Sequence, residues 1–299
     1  MKNIKLIAKS LIVLSAIVSA QAAIAAWPSS QRITLMIASS AGGVSHRFAL
    51  ALQPVISDAF DMPVEIKLKP GAEGTIASLE LQNCQRCILL ASAKPIKDRV
   101  TPRKVDITKD ILPLVYLGSV PLVIFVKNGS VYNTMESIIE STDKVSFGIA
   151  MNNPLRGPTR KIFTSRKALE VAYKGGGDVL RGVLTGEIDA GVSTADALAP
   201  LEKAGKLKVL AVIGNRKSTL IENANVYSPP KINPNMTLNS FFLFTSNNED
   251  TDFRQKVKTV MDSYLISSAS NGFKAQFDLH SLVKQDQYKI LLNEVLSYE

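Results

Sequence analysis

The residues whose types could do chemistry gather in one stretch, Ser40-Ala41-Gly42-Gly43-Val44-Ser45-His46. A serine beside a histidine suggests a nucleophile and its base. Two adjacent glycines suggest backbone N–H groups brought close to an anion. The familiar patterns are incomplete, however. A phosphate loop needs G-x-x-x-x-G-K-[ST] and a dinucleotide site needs G-x-G-x-x-G; neither occurs at Gly42-Gly43. A nucleophile elbow needs G-x-S-x-G. Gly43-Val44-Ser45-His46-Arg47 supplies the first half and puts arginine in place of the last glycine. Ser45 and His46 also fall on a predicted first helical turn, where adjacent positions do not face each other. The spacing therefore speaks against a serine hydrolase. His280 is the only other histidine, so a catalytic metal centre lacks ligands, and neither metal nor cofactor is expected. Anion binding remains. A helix N-terminus offers unpaired N–H groups and partial positive charge, and glycines let a small carboxylate approach without a charged side chain. The same glycines would also serve a plain strand-to-helix turn.

Cys84 and Cys87, as Cys-Gln-Arg-Cys, are the only cysteines. A lone pair is two ligands short of a structural zinc site. A redox pair normally opens a helix, whereas "CILLAS" after Cys87 reads as a strand. A local structural disulfide and two partly buried thiols both stay open.

The elements that must hold these residues repeat one arrangement: an apolar strand, a small-residue loop, then a helix. Ile33 to Ile37 leads to the glycine loop, and Phe48, Leu52, Val55 and Ile56 follow on one helical face. Cys87 to Leu90 leads to Ser92. Lys144 to Ala150 leads to Met151-Asn152-Asn153-Pro154, with Asn153 expected as N-cap. Leu169 to Tyr173 leads to "KGGGD", with Asp178 expected to cap the next helix, and Ile188 to Val192 leads to Ser193. Strands alternating with helices indicate α/β units with largely parallel sheets. Ligands in such sheets sit beyond the carboxyl ends of the strands, which are these loops. "SFFLFTS" (240 to 246) is expected as a strand. A helix carrying Phe253, Val257, Val260, Met261, Tyr264 and Leu265 and another around Tyr288 to Val295 read as core packing. "YSPPKINPN" and a break near Gly118-Ser119-Val120-Pro121 read as crossings between two lobes.

With 299 residues, 46% of them hydrophobic, the chain can bury a large core. Lys2, Lys5 and Lys9, an apolar run over 11 to 20 and Ala23-Ile24-Ala25 read as an export signal, residues 1–25, cut between Ala25 and Ala26. Its three lysines would take the formal charge from +9 to +6. No dense basic run with interleaved aromatics suggests a nucleic-acid partner.

Three ordered segments carry a resemblance. "WPSSQRITLMIASSAGG" and "MPVEIKLKPGAEGTIA" are similar to the mature start and second segment of the Bug-type solute receptors of tripartite tricarboxylate transporters (TctC-like). "VAYKGGGDVLRGVLTGEIDAGVSTADALAPLEKAGKLKVLAV" resembles their middle segment. The resemblance implies an α/β, type II periplasmic binding protein fold with two lobes around a ligand cleft: residues 26–118 plus 240–299 as lobe one and 119–239 as lobe two. It implies a periplasmic receptor, not an enzyme. Such a receptor captures a small organic anion, typically a carboxylate, and delivers it to the membrane subunits of a transporter; it is expected to act as a monomer. An extracytoplasmic sensor partner of a receptor kinase would need the same closure. Carried onto this chain, the ligand site comprises Ser40, Ala41, Gly42, Gly43, Ser92, Met151, Asn152, Asn153 and Ser193, with Ser45 and His46 on the following helical turn.

The chain also departs from that family's pattern. Ala38 and Ser39 stand for Pro-Phe, His46 for an aspartate, Leu50 for an arginine, Leu68 for an asparagine and Glu73 for a glycine. The scaffold is kept while pocket-side residues differ, so specificity is to be sought first at Ser39, His46 and Leu50.

Overall fold

The computed structural model describes residues 32–92, 110–151, 153, 168–228 and 238–280. The expected leader, Asn152, the helix expected after Asn153 and the helix expected around Tyr288 lie outside them. In chain order the elements are β1 (Ile33–Ile37), α1 (Val44–Phe60), β2 (Val64–Leu68), α2 (Thr75–Gln82), β3 (Cys87–Ser92), β4 (Ile111–Lys127), α3 (Met135–Ile139) and β5 (Ser146–Ala150). There follow β6 (Leu169–Tyr173), α4 (Gly176–Thr185), β7 (Ala190–Thr194), α5 (Ala195–Lys203), β8 (Leu207–Ile213), β9 (Asn225–Tyr227), β10 (Leu238–Ser246), α6 (Thr251–Ile266) and α7 (Asn271–Phe277).

β2, β1 and β3 pair in parallel, β10 runs antiparallel to β3, and β4 runs antiparallel to β10. Beyond this, β4 pairs β7 and β8 antiparallel, and β7, β5 and β6 continue in parallel. The apolar face foreseen on α1 is buried: Phe48, Leu52 and Ile56 pack with Phe241, Phe253, Val257 and Met261 in one core. A separate core around Val123, Phe125, Val179, Val183 and Leu198 serves the second group of strands. Each group thus has its own apolar filling, and β4 runs through both.

The break foreseen near Gly118 is instead the middle of the 17-residue strand β4. Its partners change there: Ile111 to Pro121 pair with β10, and Leu122 onward pairs with β7 and β8. Gly118 has φ +133, and an added Cβ would lie 2.6 Å from Leu279. The strand turns between the two groups by a backbone conformation that side-chain-bearing residues rarely adopt. Ser119 ties the turn, its hydroxyl 2.7 Å from the Tyr116 hydroxyl and 2.6 Å from that of Ser240.

Cys84 and Cys87 are joined as a disulfide that ties the turn before β3 to its first residue. Asp189 accepts hydrogen bonds from the Ser146 N–H (2.8 Å) and hydroxyl (2.6 Å), clipping the start of β5. Among the described residues no helix is long and apolar enough to cross a membrane.

Candidate functional site

The loop after β1 and the loop after β6 meet face to face. Ser40 donates its hydroxyl proton to Asp178 Oδ2 at 2.8 Å. An added Cβ on Gly175 would lie 2.3 Å from Ser40 Oγ, and one on Gly177 would lie 3.0 Å from the Ala41 carbonyl oxygen. The run Gly175-Gly176-Gly177 therefore permits an approach of two backbones that side chains would prevent. Asp178, expected as an N-cap, is not one. α4 begins at Gly176 with Gly175 as its cap, and the Asp178 carboxylate takes the Ser40 hydroxyl across the contact.

A second link lies beside the first. Arg47, on the first turns of α1, donates from Nε (2.8 Å) and Nη2 (2.5 Å) to Asp196 Oδ2, at the start of α5. Arg47 Nη1 also donates to the Gly42 carbonyl, and Nη2 lies 3.5 Å from Thr194 Oγ1. The Asp196 side chain is 3% exposed and that of Arg47 26%, so the pair is screened less than a surface ion pair.

These links flank a cavity of about 40 Å³. Three helices start at its wall. Gly43, Val44 and Ser45 represent α1, Gly176 represents α4, and Thr194 with the neighbouring Ser193 introduces α5. None of the three has a side-chain hydrogen bond at its N-cap, as Asp250 provides for α6. No side chain of the cap residue takes up their first N–H groups, although the Asp178 N–H of α4 turns back to the Gly175 carbonyl at 3.1 Å, and three positive dipole ends converge. α4 and α5 each carry an acid in the first turn, Asp178 and Asp196, whereas α1 carries none. The α1 end is thus the one most favourable to a negative charge. Among the described residues no charged side chain lines the cavity; Val44, Leu122, Ala150, Val192 and Phe241 supply an apolar wall.

Of the residues expected at the site, Gly43, Ser45, Ser92, Asn153 and Ser193 line this cavity together. Ser40, Ala41, Gly42 and Met151 lie in the adjoining loops without lining it, and Asn152 is outside the described residues. His46 serves its own loop, with Nδ1 accepting the Gly42 N–H at 3.2 Å. It makes no bond to Ser45, so the nucleophile–base pairing a hydrolase would require is not formed. Leu50 is 51% exposed and absent from the wall. Sequence reasoning missed Gly176, Thr194 and Asn239 as lining residues. Gly176 belongs to the triple-glycine run, which is a visible signal; Asn239 lies just before the strand expected over 240 to 246 and gave none.

The chain matches the family described as tripartite tricarboxylate transporter family receptor over residues 49–296. It is 27% identical over 199 residues to a UPF0065 protein of Bordetella bronchiseptica, a match covering 62% of this chain and 58% of that relative's length. Among solved structures, MatC from Rhodopseudomonas palustris with bound malate superposes with a TM-score of 0.75 at 15% identity, covering 89% of this chain and 96% of that one. A second R. palustris protein, solved with adipate, gives a TM-score of 0.77 at 16% identity over 91% of this chain and 95% of that one. At these identities the two structures establish the fold, an α/β periplasmic binding protein fold.

Proposed function

The chain belongs to the tripartite tricarboxylate transporter receptor family, and from that membership we propose that it is a periplasmic receptor for a small organic carboxylate. The observation that carries the reading is the convergence of three N-termini without side-chain caps, α1 from one strand group and α4 and α5 from the other, on one cavity whose described wall carries no charged side chain. A carboxylate accepting from Gly43, Val44 and Ser45 backbone groups would join the groups, which act as lobes divided near Pro121 and Leu238. Closure then follows from preferential binding to the state in which the loops meet. The family and the fold are those of binding receptors. We assign delivery to the membrane subunits of a transporter, a cleaved leader at residues 1–25 and a monomeric state on the strength of the family.

A thermal-shift screen of small organic acids, followed by calorimetry, tests this. A ligand at 100 times its dissociation constant should stabilise the fold by about 2.7 kcal/mol. A flat response across acids of two to six carbons would overturn the carboxylate reading.

A further inference from the structure

Two polar side chains in the cavity wall lack a protein partner. Ser39 Oγ and Asn239 Oδ1 are buried atoms without a hydrogen bond, and the residues are only 5% and 7% exposed. Such groups are ordinarily satisfied, because an unpaired buried polar atom costs stability. They come from separate elements: Ser39 follows β1, and Asn239 lies on β10, two positions from Phe241, which lines the same cavity. The period of a strand puts 239 and 241 on one face. Ser240, on the opposite face, is spent on Ser119.

We infer that Ser39 and Asn239 form a second subsite that selects a ligand bearing a hydroxyl group in addition to its carboxylate. The inference rests on the carboxylate reading above. The carboxylate is held at the start of α1, and Ser39 Oγ lies near that loop, 3.8 Å from where a Gly43 Cβ would stand. A hydroxyl can donate to Asn239 Oδ1 and exchange a hydrogen bond with Ser39, whose hydroxyl both donates and accepts. An ammonium fits less well. Among the described residues no carboxylate lines the cavity to match it, and a buried charge without a partner is costly. Sites built to hydrogen-bond a ligand hydroxyl reject the analogue that lacks it, because the site's own polar groups are left unpaired.

The test is calorimetry on matched sets: glycolate against acetate, lactate against propionate and alanine, malate against succinate. The inference expects the hydroxy acid of the best-bound set to bind at least about tenfold tighter than its deoxy and amino counterparts. It expects Asn239→Ala and Ser39→Ala each to reduce that ratio towards one while leaving the deoxy acid's affinity within about threefold. The readout is a ratio within each variant, so a general loss of stability does not imitate it. Equal binding of hydroxy and deoxy acids by the unaltered chain overturns the inference and leaves the carboxylate reading standing. A preference that survives both substitutions overturns the assignment to these residues. If no acid in any set binds, the inference is overturned; the carboxylate reading falls with it only where the screen over two to six carbons is flat as well.

Discussion

Asp278 shows how one side chain can hold distant parts of this chain together. It ends α7 in a left-handed conformation with φ 51 and is 4% exposed. Its carboxylate accepts from the Thr219 N–H at 3.0 Å and the Thr219 hydroxyl at 2.8 Å, in the segment that follows β8. Burial pushes this carboxyl up, but the neighbouring His280 and hydrogen bonding from Ser218 and Thr219 outweigh it and hold it at about 2, below the usual 3.8. His280 Nε2 stands 3.4 Å away and is not aligned as a hydrogen bond, so we assign the directional hold to Thr219. A carboxyl lowered in the folded state contributes stability above its unfolded value and loses it as pH falls through the folded one. The contribution, roughly 2 kcal/mol, should fade between about pH 4 and pH 2. Asp278→Asn should therefore be less stable by about that amount at pH 6, with the gap closing towards pH 2 in denaturant titrations; a gap independent of pH would show that charge is not the source. Nothing at sequence level points to this contact, since Thr219 and Asp278 are 59 positions apart. Ser39 was legible because it departs from the pattern of the chain's relatives. Asn239 was not, because the strand reading of "SFFLFTS" starts one residue after it, whereas β10 begins at Leu238, and such a reading does not reveal which face meets a cavity.

The β-loop-α units were readable from apolar runs followed by small residues, because a buried parallel strand is short and continuously apolar. Boundaries were less so. The strand expected over Ile188 to Val192 runs from Ala190 to Thr194, carrying Ser193 and Thr194 into the sheet's end at the cavity. Asp178 has the residue type of a cap, yet the glycines before it start the helix earlier and free the carboxylate for Ser40. Two glycines test these element-level arguments. Gly175→Ala meets Ser40 Oγ at 2.3 Å and Ser40 N at 3.2 Å, so the loops must separate. Ligand affinity should fall about 5- to 30-fold, the equivalent of 1–2 kcal/mol, with only a modest drop in Tm. An unchanged dissociation constant would mean that the loops need not touch when ligand is bound. Gly118→Ala combines a left-handed φ with a 2.6 Å clash against Leu279. It should cost about 1–3 kcal/mol of folding stability, read as a lowered urea midpoint.

At the scale of the whole molecule the question is what keeps the two strand groups together around the cavity. Among the described residues the side-chain links beside it are polar: Ser40 with Asp178, and Arg47 with Asp196 and Thr194. Such contacts do not weld two bodies as an apolar interface would, which suits the receptor role proposed above, in which the cargo must be released. Arg47 and Asp196 are separated by 149 positions, and neither belongs to the glycine motif that drew attention to the region. The pair makes a prediction that distinguishes latching from simple stability. Arg47→Met leaves the Asp196 carboxylate buried without its cation, with Oδ1 already lacking a partner, and should disfavour the closed arrangement by about 1–3 kcal/mol. Adding Asp196→Asn removes that stranded charge, so the double variant should recover part of the loss, a coupling that a double-mutant cycle measures directly. The loss should appear mainly as faster ligand release, since related complexes differ chiefly in dissociation rate. In small-angle scattering, Arg47→Met should need more ligand than the unaltered chain to reach the same compact profile, while its unfolding midpoint without ligand changes little. If both variants close at the same ligand concentration as the unaltered chain, the Arg47–Asp196 contact is incidental to closure, and the balance must lie in the ligand's own contacts with the three helix ends.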